Sequence, residues 1–554
     1  PNILYASMWN RIRRRWSDPI PEPGDHIYKS TDGGKTWKIS DAGLPDTKLT
    51  GRVGLAQSYS NPNILYALVD DHNKKRDPKP GETDSYQRLV QKVVIGGAVY
   101  RSTDKGDHWE KMGEIHDFFR PFSGTYGWVF SQIRVDPKNA DQVYVMGVSM
   151  GISKDGGKTW KQFRPTDTLS EGMGGDNHAL WIDKQDPNRM MLGNDGGVAL
   201  TKDGGKSWNN FSDKLPTTQF YTVTYDMEKP FNIFGAIQDE GTFTGNVNYT
   251  LGKPVDSMLR KWGYAPGGEG TQIQVDPKNS NIVYSSSYYG RLMKSDMSKR
   301  DSMRQRPIKM FAVGAIDSLR GEWLAGTLIS RFDNNVVYHG LQHLYRSNDA
   351  GATWNMISPD LSYNDSSKMG VYPYLIYHHA ITAIAEARVP GLLYAGTDDG
   401  RVWMQSRNIN MAPGWKELTK GLPFNKHVAK ITSSFYSDSI VYVVLNNRRE
   451  DDHTPHIFKR NGLNGKWVSV IGNLPLSPVN VLIEDPEKEN VLYCGTDMGA
   501  YMSKDGGAHW VSLTGNMPVA VSVNDMFIHP RDKKLVLGTY GRGVWVLDDL
   551  SKLR

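Results

Sequence analysis

The stretch 129–160, VFSQIRVDPKNADQVYVMGVSMGISKDGGKTW, decides the fold. It holds a short apolar run, a DPKN turn, a second run VYVMG, a glycine turn, a third run, and the octamer SKDGGKTW ending at Trp160. Short runs rich in Val, Ile, Tyr and Trp, punctuated by Asp, Pro, Asn and Gly, are strands joined by tight turns. The octamer returns as STDGGKTW at 30–37, STDKGDHW at 102–109, TKDGGKSW at 201–208, SNDAGATW at 347–354 and SKDGGAHW at 503–510. One supersecondary unit is copied many times. Four antiparallel strands per copy, repeated radially, make the blades of a β-propeller, so the expected fold class is all-β.

The octamer has a local mechanism. Asp32 is expected to turn its carboxylate onto the backbone N–H groups that follow, while Gly33 and Gly34 supply positive φ. Thr36 is expected to add a side-chain-to-backbone bond, and Trp37 to cover the hairpin with its apolar face. A carboxylate engaged in this way is a poor catalyst or metal ligand, so these Asp residues read as structural.

The frame persists where the octamer has decayed. Second strands are expected to begin near Ile3, Ile64, Val143, Met190, Ile233, Ile282, Val336, Leu392, Ile440, Val491 and Leu535. That makes about eleven blades of roughly 40–60 residues. One ring usually closes with about four to eight blades, so two rings are expected. PNILYAS at 1–7 repeats the segment NPNILYAL at 61–68, which an intact strand precedes, so the chain is expected to begin inside a blade. The expected division is 1–215, the C-terminal four blades of a first propeller, and 216–554, a complete seven-bladed second propeller.

In such a blade the first and third turns share one face of the disc, and the second turns and inter-blade links share the other. The octamers and DPKN turns fall on the first face. The second face collects Asp195, Asp239, Glu240, Tyr288, Tyr289, His343, Asp398, Asp399, Asp497, Tyr540 and Arg542 from turns, with Asp176, His178, Glu269, His378 and His379 from links. Loops on a rigid scaffold are where sites usually sit. Asp239 stands out, because the turn Gln238, Asp239, Glu240, Gly241 has no need of the octamer's chemistry. The candidate ligand-binding residues around it are Glu240, Glu269, Tyr288, Tyr289, His343, Asp399, Asp497 and Arg542.

Composition narrows the classes. The chain has 554 residues, 38% of them hydrophobic, and a formal net charge of +6. No apolar run approaches the 18 or so residues of a membrane helix, so no membrane span is expected. The single cysteine, Cys494, excludes an internal disulfide framework or thiolate cluster and reads as a small buried hydrophobe. No spacing argues for a metal site, and no cofactor is expected. Basic clusters at Arg11, Arg13, Arg14 and Arg15, and at Lys74, Lys75 and Arg76, are expected in long connections between second and third strands. No nucleic-acid motif accompanies them.

Several motifs together resemble a known family. They are YASMWNRIRRRW at 5–16, the hairpin formed by NPNILYAL at 61–68 and GGAVYRSTD at 96–104, and MLGNDGGVALTKDGGKSW at 191–208. To these are added TTQFYTVTYD at 217–226, GAIQDEGT at 235–242 and the closing GTYGRGVWVLDDL at 538–550. They resemble a large bacterial family of BNR or Asp-box repeat, glycosyl-hydrolase-like proteins, related to sortilin-type receptors and xyloglucanase-type double propellers. The resemblance implies tandem seven-bladed rings and an extracytoplasmic location in the periplasm, at the cell surface or secreted. It implies action on, or binding of, a polysaccharide or glycoprotein glycan. The alternative it carries is a non-catalytic, sortilin-like propeller that binds a protein or peptide partner. In the xyloglucanase type it implies one catalytic Asp from the first blade of each ring. Asp239 stands in the matching turn and is the catalytic candidate, with its partner carboxylate expected on blades ahead of residue 1. Those blades, as a separate segment, are a further expected partner.

Overall fold

The computed structural model describes residues 2–10, 14–15, 25–83, 89–90, 92–113, 127–164, 175–210, 212, 215–250, 261–299, 305–307, 319–368, 378–405, 414–462, 464–513 and 515–553. These residues are all-β. They form nine four-stranded and two three-stranded antiparallel sheets, with one four-residue helical turn at Gly127–Phe130 and short 3-10 turns between strands. Every sheet is a meander, in which neighbours in sequence are neighbours in space. The residues separate into two compact units, the first ending at Leu215 and the second beginning at Pro216.

In the second unit the sheets open with the strands Phe220–Tyr225, Gln274–Val275, Thr327–Ile329, Ile381–Glu386, His427–Ser433, Val479–Glu484 and Val523–Ile528. Each opening strand packs beside the next, and Val523–Ile528 returns to lie against Phe220–Tyr225. The return is hydrogen-bonded. The Val223 amide donates to the Asp525 carboxylate at 3.1 Å, and the Asn524 side chain to the Phe220 carbonyl at 3.1 Å. The Arg531 guanidinium donates to the Met227 and Glu228 carbonyls at 2.8 and 2.7 Å. Meander sheets following one another round a closed circuit are a β-propeller.

The second strand of a sheet flanked on both sides lies between two neighbouring sheets, which explains its continuous apolar character. Val143–Met146, Asn232–Ile237, Leu393–Thr397, Leu492–Thr496 and Leu535–Thr539 are buried throughout. The cores are correspondingly inter-sheet. Ile64, Tyr66, Leu68 and Val99 of one sheet pack with Ile133, Val143, Val145 and Trp160 of the next. Cys494 is fully buried within such a cluster, and burial pushes its thiol pKa up.

The octamers repeat one bonding pattern around the Asp carboxylate and the Ser or Thr hydroxyl. At 153–160, Asp155 accepts from the Thr159 amide at 2.9 Å and from the Thr159 hydroxyl at 2.6 Å. The Ser153 hydroxyl donates to Asp155 at 2.8 Å and accepts from the Gly157 amide at 2.8 Å, while the Trp160 indole reaches the Gly157 carbonyl at 3.0 Å. Gly156 and Gly157 turn at φ 74° and 93°. One expectation is corrected. Thr36 and its equivalents donate the hydroxyl to the Asp carboxylate, not to backbone, because amide and hydroxyl of one residue present together to its two oxygens. His108 and His509 take the Thr place in two octamers, with Nδ1 at 2.8 and 2.6 Å from the carboxylate. Held first by the Thr hydroxyl and then by its amide, the Asp32, Asp155 and Asp349 carboxyls are lowered to about 2.

A second correction concerns the basic clusters. Lys74, Lys75 and Arg76 belong to the strand Leu65–Arg76 itself, whose register shifts as it runs on beside Val93 and Val94. Arg76 grips Glu82 through two bonds of 2.9 and 2.8 Å. Arg11 and Arg13 lie outside the described residues. No helix among the described residues is long and apolar enough to cross a membrane.

Candidate functional site

The second-turn face of the second unit gathers its polar groups where the circuit closes. Asp239 follows the strand Asn232–Ile237 and adopts φ 63°, a left-handed conformation that Asp tolerates better than most residues. Its amide donates to Glu269 Oε2 at 2.8 Å, so the link into the second sheet pins the turn of the first. The Asp239 side chain is exposed; Glu240 and Glu269 are half-buried. The neighbouring amide of Gln238 donates to the Gln219 carbonyl at 3.0 Å, and Gln219 pairs with Tyr540 from the last sheet.

Two tyrosines floor this turn. The Tyr221 and Tyr540 rings lie 6.0 Å apart. Burial raises the Tyr221 hydroxyl pKa well above its ordinary value, with the Tyr540 hydroxyl and the Glu269 and Asp239 carboxylates adding to it. Burial also raises Tyr540, and there Asp239 adds to the rise while Arg448 and Arg449 oppose it. Both phenols thus remain protonated hydrogen-bond donors at neutral pH. On the next sheet Tyr289 adopts φ 63° and meets the Trp323 ring edge-on at 5.5 Å. Its neighbour Gly290 is fixed from below, where buried His339 approaches the Gly290 carbonyl through Nε2 at 3.0 Å. Burial lowers His339 to about 4, which keeps it neutral.

The remaining candidates are distributed otherwise. The Asp497 carboxylate is occupied by Arg448 at 3.2 Å, Asn480 at 2.8 Å and Ser522 at 3.1 Å. Asp399 is 1% exposed and packs its carboxylate against His379 Nδ1, the Thr397 hydroxyl and the Tyr363 amide. Burial opposes its ionisation, but these three bonds outweigh burial and hold its pKa below the ordinary value. Beside it His378 Nδ1 meets Asp398 at 2.8 Å, and the pair is equally withdrawn from solvent. His343 Nδ1 lies 3.2 Å from the Ser358 carbonyl, so its ring fastens a link. Arg542 is exposed and donates to the Gly541 carbonyl at 2.7 Å. The side chain of Tyr288 lies outside the described residues. In the first unit His178 meets Asp195 at 2.8 Å and lies 5.1 Å from the Phe130 ring.

The structure thus brings Asp239, Glu269, Tyr289 and Tyr540 to one neighbourhood and adds Tyr221, Trp323, Arg448 and Arg449. Sequence reasoning misses Tyr221 and Trp323. Tyr221 sits one step off the buried positions of its strand, and only ring closure shows that it meets Tyr540. Among the described residues no group of three or more His, Cys, Asp or Glu side chains is arranged to hold a metal ion. What the cluster offers is carboxylates, neutral phenols and flat aromatic faces, a combination suited to hydroxyl-rich ligands.

No family model matches the chain. A stretch of 43 residues is 49% identical to the dispase autolysis-inducing protein of Streptomyces mobaraensis, covering 8% of this chain and 12% of that protein's length. Among solved structures, the chain is similar to the GH74 xyloglucanase from Xanthomonas campestris, at 13% identity over 99% of this chain and 87% of that one, with a TM-score of 0.27. A GH74 enzyme of Niastella koreensis matches at 13% identity over 98% and 84%, with a TM-score of 0.26. YCF48 from Cyanidioschyzon merolae matches at 11% identity over 66% and 93%, with a TM-score of 0.32.

Proposed function

We propose that this protein is an extracytoplasmic Asp-box propeller protein that binds, and through Asp239 cleaves, a polysaccharide or glycoprotein glycan on the second-turn face of its second unit. The second unit is read as a seven-bladed propeller and residues 1–215 as four blades of another. The observation that carries the functional reading is the Asp239 turn. Asp239 at φ 63° is tied through its amide to Glu269 and stands close enough to the Tyr221–Tyr540 pair to raise both phenols, so an exposed carboxylate is held beside two neutral donors and a second acid. Glycosidic cleavage needs two carboxyl groups, one of them protonated. Asp239 is proposed as one of them, with Glu269 as the positioning residue that fixes its turn. Tyr289, Trp323 and Tyr540 are proposed to line the sugar path.

The test is a screen of soluble β-glucans, xyloglucan and host-type glycans with the wild type and Asp239→Asn side by side. Removing a general acid or base typically costs about 10²–10⁴ in rate. The variant is expected to keep its glycan affinity and lose turnover by at least that order. Wild-type protein that binds and cleaves none of these glycans would sink the reading.

A further inference from the structure

Three consecutive links of the second unit carry one motif: Leu422, Pro423, Phe424; Leu474, Pro475, Leu476; and Met517, Pro518, Val519. They lead into His427–Ser433, Val479–Glu484 and Val523–Ile528, strands that pack side by side. The first residue of each triplet turns inward. Leu422, Leu474 and Met517 each join the apolar cluster beneath their link. The proline follows, and the third residue is thrown outward: Phe424 is 76% exposed, Leu476 75% and Val519 92%. Met498, in a second turn on the same face, is also exposed.

An anchor residue that plugs the core needs no apolar neighbour in solvent. At the corresponding place before the first sheet of this unit, Leu215 and Pro216 are followed by polar Thr217. In the first unit, Leu44 and Pro45 are followed by Asp46, which caps its own turn through the Lys48 amide at 3.0 Å. The fold therefore accepts polar residues at this place, and the three apolar ones stand on adjacent links. Exposed apolar side chains repeated at the same place on adjacent links mark an interaction surface. Leu476 and Val519, two of the three apolar groups, offer neither the flat π face nor the hydrogen-bonding group that sugar rings require, which favours a protein occupant. Charge narrows it further. Lys420, at the Phe424 end, and Arg542, in the turn after the strand that pairs with Val523–Ile528, are both exposed. Neither has a carboxylate partner among the described residues, whereas Lys426, Arg448 and Lys430 are all paired.

We propose that the Phe424–Leu476–Val519 ridge is a docking surface for an extended protein segment whose apolar residues are flanked by acidic ones. The segment lays apolar side chains across the ridge and carboxylates against Lys420 and Arg542, which steer it there. The three apolar residues stand on links other than the Asp239 turn, while Arg542 shares a turn with Tyr540, and the test does not depend on glycan chemistry.

A phage-displayed library of random dodecapeptides is selected on the intact protein and counter-selected on Leu476→Ser/Val519→Ser. Both side chains lie in solvent, so that variant is expected to melt with the wild type. Enriched peptides are expected to carry an apolar core flanked by Asp or Glu and to bind the wild type at least ten-fold tighter than the double variant. Lys420→Glu/Arg542→Glu is expected to weaken the same peptides by a similar factor at low salt, and less at high salt. The proposal is overturned if nothing enriches, if enriched peptides bind the double variant equally well, or if their flanks are basic. Dimerisation abolished by Leu476→Ser/Val519→Ser would also overturn it, by giving the ridge to a second copy of this chain.

Discussion

The octamers at 30–37 and 153–160 make the same hydrogen bonds, yet Trp37 is 41% exposed and Trp160 only 3%. Octamer bonding is local and is written in eight residues. Burial of the tryptophan is not. Trp160 packs on Tyr66 and Val99 of the preceding sheet, Trp109 reaches back to the Ser40 carbonyl at 2.8 Å, and Trp510 to the Val470 carbonyl at 3.1 Å. In these octamer-bearing sheets the tryptophan is therefore the piece that seals the sheet to the one before. Trp37 belongs to the first described sheet, and no earlier sheet stands behind it among the described residues. The first sheet of the second unit differs again. It has no octamer, and Phe527 and Val536 of the last sheet complete its core with Phe220 and Val223.

The largest effect should separate the two tryptophans. Trp160→Ala removes a buried ring from an inter-sheet core and is expected to cost about 3–5 kcal/mol. Trp37→Ala, at a half-open position, is expected to cost about 1 kcal/mol or less. Denaturant titration of both variants is the check. Equal losses would break the assignment of the octamer tryptophan to the seam with the preceding sheet.

A smaller effect is expected from the bonds the two octamers share. Asp155→Ala releases the exposed Thr159 amide and hydroxyl to water, an expected loss of about 1 kcal/mol, with ligand binding by the folded fraction unchanged. Their pH dependence follows from the same geometry. Folded Asp32, Asp155 and Asp349 titrate at about 2, below the ordinary carboxyl value near 4 of an unfolded chain. Depressed pKa values give stability that is fully present above the unfolded value and is lost as pH falls through the folded one. Acid melting should therefore steepen between about pH 4 and pH 2, and Asp155→Asn should flatten that part of the curve. A curve unchanged by the substitution would detach acid stability from the octamers.

These contrasts show which parts of the molecule a sequence can disclose. Strands and turns are legible because apolar runs and DPKN or GG punctuation are local. Val143, Met190, Ile282, Ile440 and Leu535 open their strands as expected from the runs. At Ile64, Val336, Leu392 and Val491 the ladder begins one residue later, and the amide of each closes the preceding turn. The site is less legible because it depends on ring closure. Thr397 is near Asp399 in sequence, but nothing there shows that the remote His379 and Tyr363 also consume its carboxylate. Nothing near Tyr221 shows that Tyr540 from the last sheet is its neighbour. Asp239 is an intermediate case: its turn is readable, its tie to Glu269 is not.

The smallest effect tests that tie. At Asp32 the backbone turn is made by glycines and the carboxylate is saturated, whereas at Asp239 the Asp residue itself takes the left-handed conformation and its side chain is exposed. The backbone preference at that φ is therefore one cost of replacing Asp239. Asn tolerates φ near 60° about as well as Asp does, so Asp239→Asn should melt within about 0.5 kcal/mol of the wild type. Asp239→Ala puts an ordinary Cβ at that φ and should cost about 1 kcal/mol, the left-handed penalty. Thermal melts of the two variants decide the matter. If both match the wild type, the left-handed φ sets no preference at this turn, and its tie to Glu269 is what holds the carboxylate. If Asn alone is neutral, the variant suited to a rate measurement is also the one that leaves the fold untouched, and a loss of turnover in it can be assigned to the carboxylate.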